Sequence, residues 1–124
     1  MNLRNARVLI AAQYAAPYEG NFVASLKALQ YELISKFNAL CAFVFPKSMC
    51  QQPWAERFIS ENKVYFTGSA NSLISSTEAD AIISEFKPDL IHTHFEGYDT
   101  ALFDAVRRLS QPVRIVWHMH NSLV

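Results

Sequence analysis

The sequence predicts an α/β domain built on a mostly parallel sheet of about five strands with helices on both faces. Three observations predict it. Short, unbroken apolar runs of strand length recur along the chain, and such runs suit parallel strands buried on both faces. The segments between them carry apolar residues at helical spacing. Proline and glycine fall between the two kinds of segment and rarely inside them.

Arg7–Ala12 (R-V-L-I-A-A) is the first strand. Its apolar part follows Arg4 and Arg7 but is too short for a signal-peptide core and has no clear cleavage site. Gln13–Gly20 is the first loop. Asn21 is expected to cap the first helix, with Phe22, Leu26, Leu29 and Leu33 facing inward and an end near Lys36–Asn38. Ala39–Phe45 is the second strand, closed by Pro46. Pro53–Ile59 reads as a short helix with proline at its first position. Val64–Phe66 is a brief third strand ending at Gly68.

The polar stretch Ser69–Thr77 leads to the next helix. Ser75 with Glu78, or Thr77 with Asp80, fits a capping box there, and Ala79, Ile82, Ile83 and Phe86 form its buried stripe. Pro88 stops that helix and biases Lys87 away from helical geometry. Leu90 and Ile91 begin the fourth strand, and the chain then turns polar through His92, His94, Glu96 and Asp99. Asp99 or Thr100 is the expected cap of the last helix, with Leu102, Ala105, Val106 and Leu109 inward and Pro112 as its breaker. Val113–Trp117 is the fifth strand, followed by His118-Met119-His120-Asn121. No repeat, low-complexity tract or linker interrupts residues 1–124, so they read as one Rossmann-like domain.

Right-handed crossovers make 3-2-1-4-5 the expected strand order. The loops Gln13–Gly20, His92–Asp99 and His118–Asn121 then meet at one edge, at the switch point where such sheets bind ligands. The N-terminus of the first helix points there and favours an anion or a sugar oxygen.

Composition narrows the function. With 51% hydrophobic and 13% aromatic residues, disorder is excluded. A formal net charge of zero and no basic block argue against nucleic acid. Two cysteines, Cys41 and Cys50, are too few for a disulfide scaffold and fit reduced thiols in a cytoplasmic protein. No apolar run approaches the ~20 residues that span a bilayer. The first loop has one glycine, Gly20, so neither a dinucleotide fingerprint nor a P-loop is present. No serine sits in a nucleophile elbow. His92 and His94 share one side of a strand, as do His118 and His120, and four imidazoles are a conceivable zinc set. Hydrogen bonding is the expected role instead, with no metal bound. His92 lies closest to the core and is expected to be a buried, satisfied histidine, not a ligand.

The motifs together resemble the N-terminal domain of retaining, family 4 glycosyltransferases of the GT-B fold. They are V-L-I-A-A followed by E-G-N-F-V-A-S-L-K-A-L, then V-F-P, K-P-D-L-I-H-T-H-F and R-I-V-W-H-M-H-N, spread over nearly the whole chain. One departure is Glu19, which stands where many members have the first glycine of a Gly-Gly pair. The resemblance implies that residues 1–124 are the first part of an acceptor-binding N-terminal domain, with the donor-binding C-terminal domain absent. The complete enzyme would transfer a sugar from a nucleotide-sugar to a glycan or lipid-linked acceptor in polysaccharide biosynthesis. It would need no metal or cofactor, and would work in the cytoplasm at the inner face of the membrane. This chain alone is expected to be inactive.

By the same resemblance His120 approaches the transferred sugar and is the candidate catalytic residue. Gly20, His94, Glu96, Asn121, His118 and Tyr14 are the candidate substrate-binding residues. Two other readings stay open: a stand-alone sugar- or anion-binding module, and a non-catalytic subunit of a split glycosyltransferase. An unpaired fifth strand would also favour a homodimer through the sheet edge.

Overall fold

The apolar runs pair into one five-stranded parallel sheet in the order β3-β2-β1-β4-β5, formed by β1 Arg7–Ala12, β2 Leu40–Pro46, β3 Val64–Thr67, β4 Leu90–His94 and β5 Arg114–His118. The computed structural model describes residues 3–68, 74–94, 98–110 and 112–118. The helices are α1 Gly20–Phe37, α2 Ala55–Glu61, α3 Ser76–Phe86 and α4 Asp99–Arg108, with a 3-10 turn at Lys47–Gln51. The expected fold class and strand order are both present.

The sheet divides the core in two. Alternation along β1 sends Val8, Ile10 and Ala12 to one face, where α1 and α2 meet Phe43 and Phe45 of β2. Phe58 of α2 packs edge-on to both phenylalanines, with ring centroids at 4.9 and 5.3 Å. Leu9 and Ala11 go to the other face, against α3 and α4.

The K-P-D motif fastens α3 to the sheet. Lys87 ends α3 in a left-handed conformation (φ 53°), its N–H donating to Ile83 O. Asp89 Oδ2 accepts from the Arg7 N–H at 2.8 Å, and the Asp89 N–H donates to Arg7 O at 2.7 Å. Arg7 Nε in turn donates to Phe86 O, and its guanidinium lies 4.6 Å over the Phe86 ring. The start of β1, the end of α3 and the start of β4 are thus set in register by one aspartate and one arginine.

Several boundaries differ from expectation at helix starts. α1 begins at Gly20, so Asn21 lies inside the helix and is not its cap. Gly20, its first residue, has a φ of +56°, a left-handed turn into the helix that favours glycine. α2 starts at Ala55, two residues beyond Pro53, with Trp54 before it. α4 follows Tyr98, and neither Asp99 nor Thr100 caps it. At α3 the Ser75–Glu78 capping box forms in full, which rules out the Thr77–Asp80 alternative.

Candidate functional site

The C-terminal ends of β1 and β4 lie side by side, with Ala12 in register with His94 and the Gln13 N–H directed at His94 O over 3.4 Å. This is the switch point, since β1 continues leftward to β2 while β4 continues to β5. Continuing the register, His94 is opposite His118 at the end of β5.

The first loop is fastened by aromatic side chains. The Tyr14 ring lies tilted against Phe22 of α1, with centroids 4.7 Å apart, and against Trp54 at 6.0 Å. Its hydroxyl donates to Tyr18 O at 2.7 Å, and burial, followed by Tyr18, raises its pKa above the usual tyrosine value. Trp54 Nε1 donates to Ala16 O at 2.9 Å. Trp54 therefore holds the loop, a role the sequence gives no sign of because Ala16 is 38 positions from it along the chain.

Gly20 holds a conformation that other residues rarely adopt, and a Cβ there would lie 3.4 Å from the Tyr18 ring. The first turn of α1 has no acidic residue and no side-chain cap. Glu19 turns away to meet Lys27 Nζ at 3.1 Å. The positive end of the helix therefore faces the crevice without a carboxylate of its own.

His92 and His94 share the α1 face, with ring centroids 4.2 Å apart. His94 also meets Phe22 edge-on at 5.3 Å. His94 is 4% exposed, while His92, expected to be buried, is half-buried. α1 covers the sheet over His94, and its cover does not extend equally over His92. Among the described residues no three histidine, cysteine, aspartate or glutamate side chains group as a metal site would require.

A second polar cluster, missed in the sequence, lies on the α3 and α4 face beneath the same edge. Thr67 Oγ1 and the Tyr98 hydroxyl are 2.9 Å apart and both residues are fully buried. Burial pushes the Tyr98 phenol up to about 12; the Thr67 hydrogen bond opposes this and the Glu78 charge adds to it. Glu78 accepts from the Gly68 and Ser75 N–H groups, tying the end of β3 to the start of α3. Thr93 Oγ1 and Asp99 Oδ1 are buried with no hydrogen-bond partner.

The structure thus brings together Tyr14, Gly20, His94 and the backbone of His118. Glu96, His120 and Asn121 lie outside the described residues.

No protein-family model matches the sequence, and no curated protein matches it. Among solved structures, the crystal structure of MurG from Acinetobacter baumannii has a similar fold, with a TM-score of 0.61 at 12% identity. The likeness covers 96% of this chain and 36% of the MurG chain, so the sequence spans about a third of that protein's length. At this identity the likeness is one of fold alone: a Rossmann-like α/β unit with a five-stranded parallel sheet.

Proposed function

We propose that this chain is the acceptor-side part of a GT-B glycosyltransferase, contributing one wall of the cleft in which a sugar is transferred. The observation that carries the reading is the switch-point crevice, where the uncapped α1 N-terminus, Tyr14 and His94 meet at the β1–β4 junction. Its likeness to MurG, a GT-B glycosyltransferase, supports the same reading.

In this proposal the enzyme is of the retaining, family 4 kind, and the nucleotide-sugar donor binds a separate domain outside residues 1–124. His120 hydrogen-bonds the hydroxyls of the transferred sugar. His118, Asn121, Glu96, His94 and Tyr14 read the hydroxyls of a glycan or lipid-linked acceptor. Gly20 lets a phosphate or acceptor oxygen approach the α1 backbone. No metal or cofactor takes part. Among the described residues no helix is long and apolar enough to cross a membrane; we assign the enzyme to the cytoplasmic face of one, where lipid-linked acceptors are met. Self-association through β5 belongs to the same proposal, and sedimentation at low micromolar concentration tests it.

The crevice reading is tested by nuclear magnetic resonance titration of the chain. Oligosaccharide acceptors are expected to shift the Gly20 amide and the His94 ring. Nucleotide sugars are expected to release no nucleotide above blank. Turnover by the chain alone would overturn the acceptor-side reading.

A further inference from the structure

Away from the crevice, the outer side of α1 and the end of α2 enclose an open groove of about 410 Å³. Its size falls within the range of small-molecule sites, roughly 300–1,000 Å³. Tyr31 stands at its edge with 69% of its surface exposed, and Ile34 one turn on is 45% exposed. The groove also holds a fixed pair of amides. Gln30 Nε2 donates to Asn62 Oδ1 at 2.8 Å, and Asn62 Nδ2 donates to Phe58 O at 2.9 Å. The two remaining lining charges are already answered: Lys27 by Glu19 at 3.1 Å and Glu61 by Arg57 at 3.0 Å.

That combination selects a ligand class. With both charges paired, the groove offers no net attraction for an ion. The amide pair leaves Gln30 Oε1 as an acceptor and one N–H on each amide as donors. A group that both donates and accepts at adjacent positions is a vicinal diol. The exposed ring supplies an apolar plane beside it, and a pyranose has an apolar C–H face next to a hydroxyl edge. Because the amides are held in place before binding, little ordering cost is added.

We propose that the groove between α1 and α2 holds saccharide units, with Tyr31 stacking on a sugar face and Gln30 and Asn62 reading its hydroxyls. Lys27 is eight residues from Glu19, about 12 Å along the helix axis. A glycan seated here can therefore extend past Glu19 to the crevice. That its far end is the acceptor rests on the transferase reading; binding in the groove does not.

The test uses hexasaccharides of glucose, N-acetylglucosamine, galactose and mannose at millimolar concentration, read by saturation-transfer difference and by shifts of the Tyr31 ring resonances. At least one hexasaccharide is expected to move the Tyr31 ring. Tyr31→Ala and Gln30→Ala should each weaken its binding roughly tenfold, as the loss of one good contact would. Tyr31 is exposed, so its truncation should leave the circular dichroism spectrum unchanged. Binding insensitive to both substitutions, or no shift of Tyr31 with any of the four sugars, overturns the proposal. So does a concentration-dependent shift of the Tyr31 ring without sugar that the other ring resonances do not share, which would make the groove a contact between copies. Shifts at Gly20 and His94 with Tyr31 unmoved would keep the crevice reading and remove this one; the reverse would remove the crevice reading alone.

Discussion

The two halves of the sheet are finished differently on the α1 face. Over β1 and β2, α1 and α2 bury Val8, Ile10, Phe43 and Phe45 completely. Over β4 and β5 the same face carries Leu90, His92, Arg114 and Val116, and Val116 is 48% exposed. Both strands begin on arginine and carry an apolar run, R-V-L-I-A-A in β1 and R-I-V-W in β5 before His118. Apolar composition therefore states what a strand tolerates, while the cover it receives is decided by where the neighbouring helices lie. The candidate crevice sits at the seam between the halves, with Phe22 of α1 contacting His94 on its inner side.

The largest test of this contrast is stability. Phe45→Ala should cost about 3–5 kcal/mol, because it empties a site closed by Trp54 and Phe58. Val116→Thr should change stability by no more than about 0.5 kcal/mol, as at other exposed positions. Urea denaturation measures both. A Val116 substitution as costly as the Phe45 one would mean that β5 is covered on the α1 face after all.

A smaller effect is expected from the pair that closes the opposite face. Tyr98→Phe leaves the buried Thr67 hydroxyl without its partner, which should cost about 1–3 kcal/mol. Adding Thr67→Val removes the orphaned group, and the double variant should regain much of that loss. If the double variant is worse by the sum of two independent losses, the hydrogen bond is not what links them.

Strand order and the helix stripes were legible because they depend on local periodicity and a handedness rule. The four residues expected inward on α3 are its four buried ones. Helix starts were less legible. Asn21 has the right chemistry for a cap, but the helix already begins at Gly20, in a left-handed conformation. The relative depth of His92 and His94 was not legible, because proximity to the strand's apolar start does not set depth; the contact of α1 Phe22 with His94 does. The Thr67–Tyr98 pair and the Trp54–Ala16 bond join residues 31 and 38 positions apart, and no sequence period encodes such a meeting.

The acid limb probes the α3 face. Burial raises the Glu78 pKa, but the Gly68 and Ser75 N–H groups and the Ser75 hydroxyl lower it further, leaving it below 4.5. A carboxylate with a depressed folded value stabilises the fold above its unfolded pKa, and loses that contribution as pH falls through the folded value. Stability should therefore decline below about pH 4.5, and Glu78→Gln should flatten that decline while weakening the fold at neutral pH. An unchanged acid limb in the variant would assign the decline to other carboxylates.

The finest probe of the covered half is its thiol. Cys41 is 7% exposed on β2 under α1, and burial pushes its pKa up to about 11, whereas Cys50 is exposed. The thiolate is the reactive form, so at pH 8 only about a thousandth of Cys41 is ionised. Alkylation of the native chain should label Cys50 quickly and Cys41 only as α1 lifts from the sheet. The slow phase should accelerate in Phe45→Ala and keep its rate in Val116→Thr. Alkaline stability carries the same signature. The unfolded thiol ionises near 9.0 and the folded one near 11, so between those values the unfolded state binds fewer protons and stability falls as pH rises. Cys41→Ala should remove that part of the alkaline slope. Equal labelling rates for the two cysteines in the native chain would show that α1 does not close over β2, and the contrast between the halves would fail at its covered end.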